Sequence, residues 1–288
     1  MASSPLPTIA VVTVSYGSAG VLPAFLASLG AATRSSSVVI VADNKAQDSD
    51  AVATVASAHG ARYLPMATNV GYGAAINATV DSLDPDIEWV LIGNPDIVMA
   101  EGSIDTLLAT ASSDPRIGSV GPTVLTSEGA LYPSARAIPS LRTGIGHALF
   151  VRAWPSNPWS RAYRLESTSA VRRDTGWLSG ACLLVRRSAF AEIGGFDPGF
   201  FMYFEDVDLG FRLGKAGYRN VYEPAAVVTH TGAHSTTTNA SAMVAAHHRS
   251  AERFLDKKYS RPVLWPIRAG LSVGLRLRSA LVRHNLNR

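Results

Sequence analysis

The sequence predicts an α/β fold in which helices flank a mostly parallel β-sheet. Apolar, β-branched runs alternate with helical stretches through the first half of the chain, and this alternation is typical of βαβ units. Hydrophobic residues make up 47% of the 288 positions, which is enough to bury a large core. Polar residues follow several of the apolar runs, and ligands of parallel sheets bind outside the carboxyl ends of the strands.

Four strand and helix pairs are predicted up to residue 112. In chain order the strands are IAVVTVSY, VVIVAD, ARYLPM and EWVLIGN, and the helices that follow them are VLPAFLASLG, SDAVATVASAHG, GYGAAINATVDSL and GSIDTLLATAS. The strand ends carry Ser15 and Tyr16, Asp43 and Asn44, and the stretch 94–96. We therefore expect a ligand site at that edge of the sheet.

The second half of the chain has a less regular pattern. Residues 126–175 are rich in Pro, Ser, Arg and Trp, which indicates irregular structure or mobile loops. The pattern that follows, up to residue 230, predicts strand, helix, loop, helix and strand. We divide the chain into one domain at 1–255, with halves 1–125 and 126–255, and a basic C-terminal segment at 256–288.

Several classes of protein are not favoured by the sequence. A single cysteine, Cys182, excludes an intramolecular disulfide bond and suits a reducing cytoplasm. The N-terminus MASSPLPT has neither the basic nor the apolar region of a signal peptide. No G-x-G-x-x-G follows the first strand, so the sequence does not favour a dinucleotide dehydrogenase. No P-loop motif is present either.

The C-terminal segment is strongly basic. The net charge of the chain is +4, yet no acidic residue follows Asp256. Arginines interrupt the stretch VLWPIRAGLSVGLRLRSALV, so it is not a membrane span, which needs roughly 20 mostly apolar residues. Its composition favours an amphipathic helix on an anionic membrane surface, and the alternative is a basic helix docked on the domain. Nucleic-acid binding is not favoured, because the segment lacks an aromatic-basic recognition motif.

Three carboxylates open the predicted helix EDVDLGFRLGKAG. Acids in a first helical turn can simply complement the helix dipole and cap free N–H groups. On a helical wheel, one arc carries the charged residues Glu205, Asp208, Arg212 and Lys215. We interpret this arc as solvated, and its spacing predicts an ion pair between Asp208 and Arg212. Asp206 falls on the opposite arc among apolar residues, where a raised pKa would suit a general base, so we predict a catalytic Asp206 and a capping or orienting Glu205.

The sequence GNPD follows the fourth predicted strand. Asn-Pro followed by Asp is good turn chemistry, so Asp96 can have a purely structural role. Its position at the end of a buried strand also suits an oxygen ligand for Mg²⁺ or Mn²⁺, since Mg²⁺ often takes only one or two carboxylates besides substrate phosphates. His230 ends the predicted strand AAVVTH and is a candidate nitrogen ligand, although a histidine there is more often a plain polar residue.

An ordered set of motifs connects these candidate residues. The motifs are VVTVSYGS, ADN followed by Asp48, NVGYGAAIN, NPD, GWLSGACLLVRRSAFAEIGGFD, YFEDVDLGFRL and VVTH. Together they resemble the motifs of the family 2 glycosyltransferases with a GT-A fold. The resemblance extends over residues 8–255. It implies a Rossmann-like sheet, an inverting transfer of a sugar from a nucleotide donor, and a divalent cation, Mg²⁺ or Mn²⁺.

The resemblance also implies roles for individual positions. Asp43 would accept a hydrogen bond from the pyrimidine ring, Asp96 and His230 would bind the metal, and Asp206, beside Glu205, would be the catalytic base. The other donor-binding residues would be Thr13, Ser15, Tyr16, Asn69, Gly71 and Asn94, with Asn77 supporting the loop at 69–71. The acceptor-binding residues would be Trp177, Ser179, Gly180 and Arg249.

Segments such as YPSAR, GWLSG and AAHH look like those of rhamnosyltransferases in this family. They imply dTDP-L-rhamnose as the donor, a polyprenyl-diphosphate-linked N-acetylglucosamine as the acceptor, and a location on the cytoplasmic face of the plasma membrane. The alternatives are a transferase with a UDP-hexose donor and a non-catalytic scaffold that binds sugar nucleotides.

Two stretches depart from the family pattern. Asn94 replaces the first acid of the usual Asp-x-Asp, and Lys45 and Ala46 replace the small and hydroxyl residues of the usual Asp-Asn-Gly-Ser-x-Asp. With one carboxylate fewer, metal binding is expected to be weaker or to depend on His230.

Removing the residues after about 262 is expected to release the protein from membranes, because they carry the apolar and basic side chains that would bind an anionic surface. Sedimentation with anionic vesicles measures the bound fraction. An unchanged bound fraction in the truncated protein would contradict the membrane assignment.

Overall fold

The computed structural model describes residues 9–44, 47–140, 171–232, 240–262, 265, 266 and 270. Its helices are α1 (Leu22–Ala32), α2 (Ser49–Ala58), α3 (Tyr72–Asp81), α4 (Ser103–Ser112), α5 (Arg187–Glu192), α6 (Glu205–Lys215) and α7 (Ala240–Lys258). Its strands are β1 (Ile9–Ser15), β2 (Ser37–Asp43), β3 (Arg62–Pro65), β4 (Trp89–Gly93), β5 (Ile97–Met99), β6 (Ile117–Thr126), β7 (Leu131–Tyr132), β8 (Ala135–Arg136), β9 (Arg173–Thr175), β10 (Trp177–Leu178), β11 (Cys182–Arg186) and β12 (Arg219–His230). The predicted alternation of strands and helices is confirmed.

The main sheet has the strand order β3-β2-β1-β4-β11-β6-β12-β5, with β7 paired to β6 and β9 paired to β12. The strands β3, β2, β1 and β4 run parallel to one another, and β12 runs parallel to β6. In contrast, β11 is antiparallel to both β4 and β6, and β5 is antiparallel to β12. The strands β8 and β10 form a separate two-stranded sheet.

Helices cover both faces of the main sheet. On one face Ile9 of β1 packs in an apolar cluster with Phe25 of α1, and on the other face Ala10 packs in a second cluster with Ile76 of α3. All four side chains are fully buried. Because neighbouring residues of a strand point to opposite faces, burial on both faces explains why the strands read as continuous apolar runs.

Helix α6 lies between two apolar groups, as the helical wheel predicted. Leu209 and Leu213 pack in the second cluster, whereas Val207 packs with Phe254 of α7 in a third. This arrangement fixes the rotation of α6 and directs Asp206 towards the space between the two groups.

The prediction of a solvated arc on α6 is wrong for its two acids, Glu205 and Asp208, and correct for Lys215. Asp208 is fully buried, and only 8% of Glu205 is exposed. The predicted ion pair is present, because Arg212 Nε donates to Asp208 Oδ2 at 2.6 Å, and the Lys257 ammonium of α7 lies 2.6 Å from Asp208 Oδ1. Lys257 also donates to Asp197 at 2.6 Å. Asp208 is therefore covered by α7, a tertiary contact that the periodicity of α6 does not reveal, whereas Lys215 at the other end of the arc is exposed.

The described part of the irregular segment 126–175 contains the end of β6 and the short strands β7, β8 and β9, while residues 141–170 lie outside the described residues. Most of the C-terminal segment after residue 262 also lies outside them, so its membrane association stays a prediction. The division at residue 255, which falls within α7, stays a prediction as well. Across the residues that the structure describes, we find no helix with the length and apolar character needed to cross a bilayer.

Candidate active site

Polar residues from distant parts of the chain meet at one edge of the main sheet. Ser15 at the end of β1 lies opposite Asp43 at the end of β2 in the parallel register. Because β11 is antiparallel to β4, its first residue, Cys182, pairs with Gly93, the last residue of β4. The turn at 179–180, which precedes β11, is therefore brought to the same edge.

Asp96 and His230 lie together at this edge. The Asp96 Oδ1 atom is 3.3 Å from His230 Nε2, and Asn94 Nδ2 is 3.3 Å from the same nitrogen. The backbone oxygen of Asp96 accepts hydrogen bonds from the N–H and the hydroxyl of Thr231 at 2.9 and 2.8 Å. Tyr132 stacks on the imidazole with a centroid distance of 6.4 Å. The turn that follows β4 is thus fixed against the end of β12, and the two predicted metal ligands are neighbours.

Asp43 is buried at the end of β2. Its Oδ2 atom accepts hydrogen bonds from the hydroxyls of Ser49 and Tyr63, each at 2.9 Å. Thr13 and Ser15 are also buried, and their hydroxyl oxygens have no hydrogen-bond partner within the described residues. These side chains lie beneath the surface of the edge, and their contacts with a nucleotide stay predictions.

The loop at 69–71 forms one side of the edge, and the exposed ring of Tyr16 follows β1. Asn69 Oδ1 accepts the N–H of Gly71 at 3.1 Å, and the Gly71 carbonyl accepts from Asn44 Nδ2 at 3.1 Å. Gly71 has a φ of +87°, and a Cβ there would lie 2.5 Å from the backbone oxygen of Phe201. Both the backbone angle and the close approach therefore require glycine.

Asp206 lies in the first turn of α6 and faces the turn at 179–180. Its Oδ2 atom accepts the N–H of Gly180 at 3.0 Å, and its Oδ1 atom accepts the N–H of Val207 at 2.8 Å. The carbonyl of Gly180 accepts in turn from the hydroxyl of Tyr72 at 2.8 Å. Burial raises the pKa of Asp206, although both N–H groups oppose this effect by stabilising the carboxylate.

Comparison with known proteins identifies the family. The family described as "Glycosyltransferase like family 2" matches residues 7–251. The chain belongs to this family. The N-acetylglucosaminyl-diphospho-decaprenol L-rhamnosyltransferase of Mycobacterium tuberculosis is 46% identical over 291 residues, which cover 96% of this chain and 94% of that protein. Rhamnosyltransferase WbbL of Escherichia coli K12 is 42% identical over 82 residues, which cover 28% of this chain and 31% of that protein.

Two solved glycosyltransferase structures share the fold. The mannosyltransferase PcManGT of Pyrobaculum calidifontis, in complex with GDP-Man and Mn²⁺, gives a TM-score of 0.59 at 18% identity, over 96% of this chain and 73% of that one. GalNAc-T7 with UDP, GalNAc and Mn²⁺ gives 0.58 at 14% identity, over 86% of this chain and 48% of that one. The expected GT-A fold is confirmed.

In this glycosyltransferase the carboxyl group beside Asp206 is that of Glu205, which is buried. Glu205 Oε2 has no hydrogen-bond partner within the described part of the chain. Burial raises the pKa of Glu205 to about 8, and the neighbouring charge of Asp206 acts in the same direction. Two adjacent carboxyl groups in this environment titrate as a pair, and the pair retains a proton near neutral pH.

Asp96 and His230 are suited to hold a divalent cation. They offer one carboxylate oxygen and one imidazole nitrogen at the edge where a donor diphosphate would lie. Among the described residues, no group of three or more His, Cys, Asp or Glu side chains could surround a metal ion. Phosphate oxygens and water would therefore have to complete the coordination.

The predicted acceptor-binding residues are only partly brought together. Ser179 and Gly180 lie beside Asp206, and Trp177 is fixed nearby by a hydrogen bond of 3.1 Å from Nε1 to the Ala137 carbonyl. Arg249 is exposed on α7, and its approach to a phosphate stays a prediction.

The prediction for Asn77 is wrong, because its side chain is used elsewhere. Asn77 Nδ2 donates to the carbonyl of Phe196 at 2.8 Å, and its Oδ1 accepts the N–H of the same residue at 2.9 Å. Both ends of the amide therefore hold the segment that leads to α6 rather than the loop at 69–71.

Sequence reasoning missed two residues near Asp206. Tyr72 stands within the motif NVGYGAAIN, but nothing local shows that its hydroxyl reaches Gly180. Arg136 lies on β8, within the segment predicted to be irregular, and its positive charge lowers the pKa of Asp206. The signal for the first of these residues was a motif tyrosine at the start of a helix, and the signal for the second was its place in the segment YPSAR.

Replacing Glu205 by Gln is expected to flatten the dependence of stability on pH. The folded protein keeps a proton on Glu205 up to about pH 8, whereas the unfolded chain loses it near the ordinary glutamate pKa of about 4.3. The unfolded chain therefore binds fewer protons between these values, and wild-type stability falls as pH rises, by up to ~1.4 kcal/mol per pH unit. Gln cannot ionise, so the variant does not lose this stability.

Urea unfolding of wild type and Glu205→Gln at pH values between about 5 and 8 measures the two slopes. The exposed Glu128 provides a control, since Glu128→Gln should follow wild type. Equal slopes in the wild type and Glu205→Gln would contradict the raised pKa.

Proposed function

We propose that this glycosyltransferase moves L-rhamnose from dTDP-L-rhamnose to an N-acetylglucosaminyl-diphosphate-polyprenol with inversion at the anomeric carbon. The observation that carries the proposal is the 46% identity to the M. tuberculosis rhamnosyltransferase, which extends over 94% of that protein. The gathering of Asp96, His230 and Asp206 at one sheet edge supports it, because a sugar transferase needs donor and acceptor groups side by side. The reaction would build a lipid-linked precursor of the cell wall.

Asp206 would act as the general base on the acceptor side. Its carboxylate removes the proton of the acceptor hydroxyl as the hydroxyl oxygen attacks the anomeric carbon. The N–H groups of Gly180 and Val207 hold the two carboxylate oxygens in a fixed direction. Burial raises its pKa, which brings its basicity closer to that needed for proton transfer near neutral pH.

Asp43, Asn69 and Gly71 would hold the nucleotide of the donor. Asp96 and His230 would hold a divalent cation, Mn²⁺ or Mg²⁺, which when bound stabilises the negative charge on the departing diphosphate. Asn94 lies against His230 Nε2 at 3.3 Å and restricts the position of the imidazole.

The acceptor is anchored in a bilayer by its polyprenyl chain, so the enzyme would work at the inner membrane surface. The basic C-terminal segment, with its Trp and Leu residues, would provide the attachment on the cytoplasmic face.

Incubation of the purified protein with dTDP-L-rhamnose, a polyprenyl-diphosphate-N-acetylglucosamine and Mn²⁺ or Mg²⁺ is expected to add one deoxyhexose to the lipid. Mass spectrometry of the lipid measures the increment, and a chelator control measures the metal dependence. A hexose increment with UDP-hexose, and none with dTDP-L-rhamnose, would overturn the donor assignment. Absence of product with every donor would overturn the transferase proposal.

Replacing Asp206 by Asn is expected to lower kcat by ~10²- to 10⁴-fold, the usual contribution of a general base, while the Kd for the donor stays unchanged. Steady-state kinetics and calorimetric titration of the donor measure the two quantities. Asp174→Asn, which alters an exposed ion pair with Arg219, is the control and should retain wild-type turnover. Near-normal turnover of the Asp206 variant would show that another group is the base.

A further inference from the structure

The two backbone groups of Gly180 are held by two side chains of the site. Its N–H donates to Asp206 Oδ2 at 3.0 Å, and its carbonyl accepts from the Tyr72 hydroxyl at 2.8 Å. A Cβ on Gly180 would lie 3.4 Å from Tyr72 Cε1 and 3.9 Å from Asp206 Oδ2. The tyrosine ring, the glycine and the carboxylate are therefore packed in direct succession.

The neighbours of Gly180 are fixed independently of Tyr72. The N–H of Ser179 donates to the carbonyl of Ser134 at 2.8 Å, and the carbonyl of Ala181 accepts from the N–H of Asn94 at 2.9 Å. Loss of the Tyr72 hydroxyl would therefore leave the turn in place and release only the Gly180 carbonyl. This separation makes the role of the hydroxyl measurable.

Tyr72 also contacts the donor side of the site. It follows Gly71 directly, and its own N–H donates to the carbonyl of Phe201 at 3.1 Å, in the segment that leads to α6. Burial holds the pKa of the Tyr72 phenol well above its usual value, so the hydroxyl remains a hydrogen-bond donor. One residue thus connects the loop at 69–71, the segment before α6 and the Gly180 turn.

We propose that Tyr72 is a positioning residue that directs the Gly180 N–H at Asp206 and so fixes the orientation of the catalytic carboxylate. The proposal deepens the proposed function and rests on it for the catalytic role of Asp206. Tyr72 itself need not touch either substrate.

Because of the charges around Asp206, a titration of its carboxyl group can test the positioning role of Tyr72. Among the described residues, the ionisable groups that act on it include Glu205 of the same helix, Arg136 of β8 and Tyr72 of α3. Replacing Tyr72 by Phe removes a neutral hydroxyl and leaves Glu205 and Arg136 in place. A change in the titration of Asp206 therefore reports the weakened N–H bond from Gly180.

Tyr72→Phe is expected to lower kcat by about 10- to 100-fold, because a small misplacement of a catalytic group costs up to ~10²-fold. The Kd for the donor should not change. The acidic limb of the profile of kcat/KM against pH should move to higher pH, since a carboxylate that loses a hydrogen-bond donor has a higher pKa.

A matched control is Tyr218→Phe, which removes a 2.7 Å hydrogen bond from a tyrosine hydroxyl to Glu192 on the exposed surface. It should keep the wild-type kcat and pH profile. The double variant Tyr72→Phe/Asp206→Asn should turn over no more slowly than Asp206→Asn alone, because Tyr72 is proposed to act through that carboxylate. Additive losses in the double variant, or a wild-type pH profile in Tyr72→Phe, would overturn the proposal.

A second measurement does not depend on activity. The ¹³C resonance of the Asp206 carboxyl, assigned by its loss in Asp206→Asn, should titrate at higher pH in Tyr72→Phe than in wild type. If the wild-type protein shows no transfer, the proposed function fails, yet this titration still decides the role of Tyr72. An unchanged titration would overturn the positioning role whatever the turnover.

Discussion

The antiparallel pairing of β11 with β4 is the constraint on which the site depends. In a wholly parallel sheet, the loop before a strand lies at the edge opposite to the loop that follows its neighbour. Because β11 runs in the other direction, the turn before it meets the end of β4, where the N–H of Asn94 donates to the carbonyl of Ala181. The antiparallel pairing of β5 with β12 has the same effect on Asp96 and His230. The residues proposed to bind donor and acceptor share one edge for this reason.

The three acidic residues of α6 have different partners. These partners distinguish the ion-paired Asp208 from Asp206 and Glu205, whose pKa values are raised. Asp208 is fully buried and lies between the cations of Arg212 and Lys257, which compensate its charge. Among the described residues, Asp206 accepts hydrogen bonds from neutral N–H donors, so its carboxylate is held in place while burial still raises its pKa. Glu205 Oε2 has no partner within the described residues, and its pKa rises to about 8. A single helix therefore carries one structural ion pair and one pair of carboxyl groups with raised pKa values.

The sequence was sufficient to predict the elements that depend on local patterns. β1, β2, β4 and the helices α1 to α4 lie where apolar periodicity placed them, and the wheel correctly set Asp206 between two apolar groups. The burial of Asp208 could not be predicted in this way, because Lys257 comes from a helix much later in the chain. The role of Tyr72 was equally hidden, since its hydroxyl meets a carbonyl 108 residues away.

The segment before α6 shows how the C-terminal helix supports the site. Tyr203 and Phe204 have φ values of 68° and 65°, in a region that bulky residues rarely adopt and that persists only when the surroundings enforce it. Helix α7 provides this support, because His247 packs against both rings and the Ser250 hydroxyl donates to the carbonyl of Met202 at 2.8 Å. The strained residues set the start of α6, and with it the position of Asp206. The same helix α7 leads into the basic C-terminal segment, so the part of the chain proposed to bind the membrane is joined directly to the element that stabilises the start of α6.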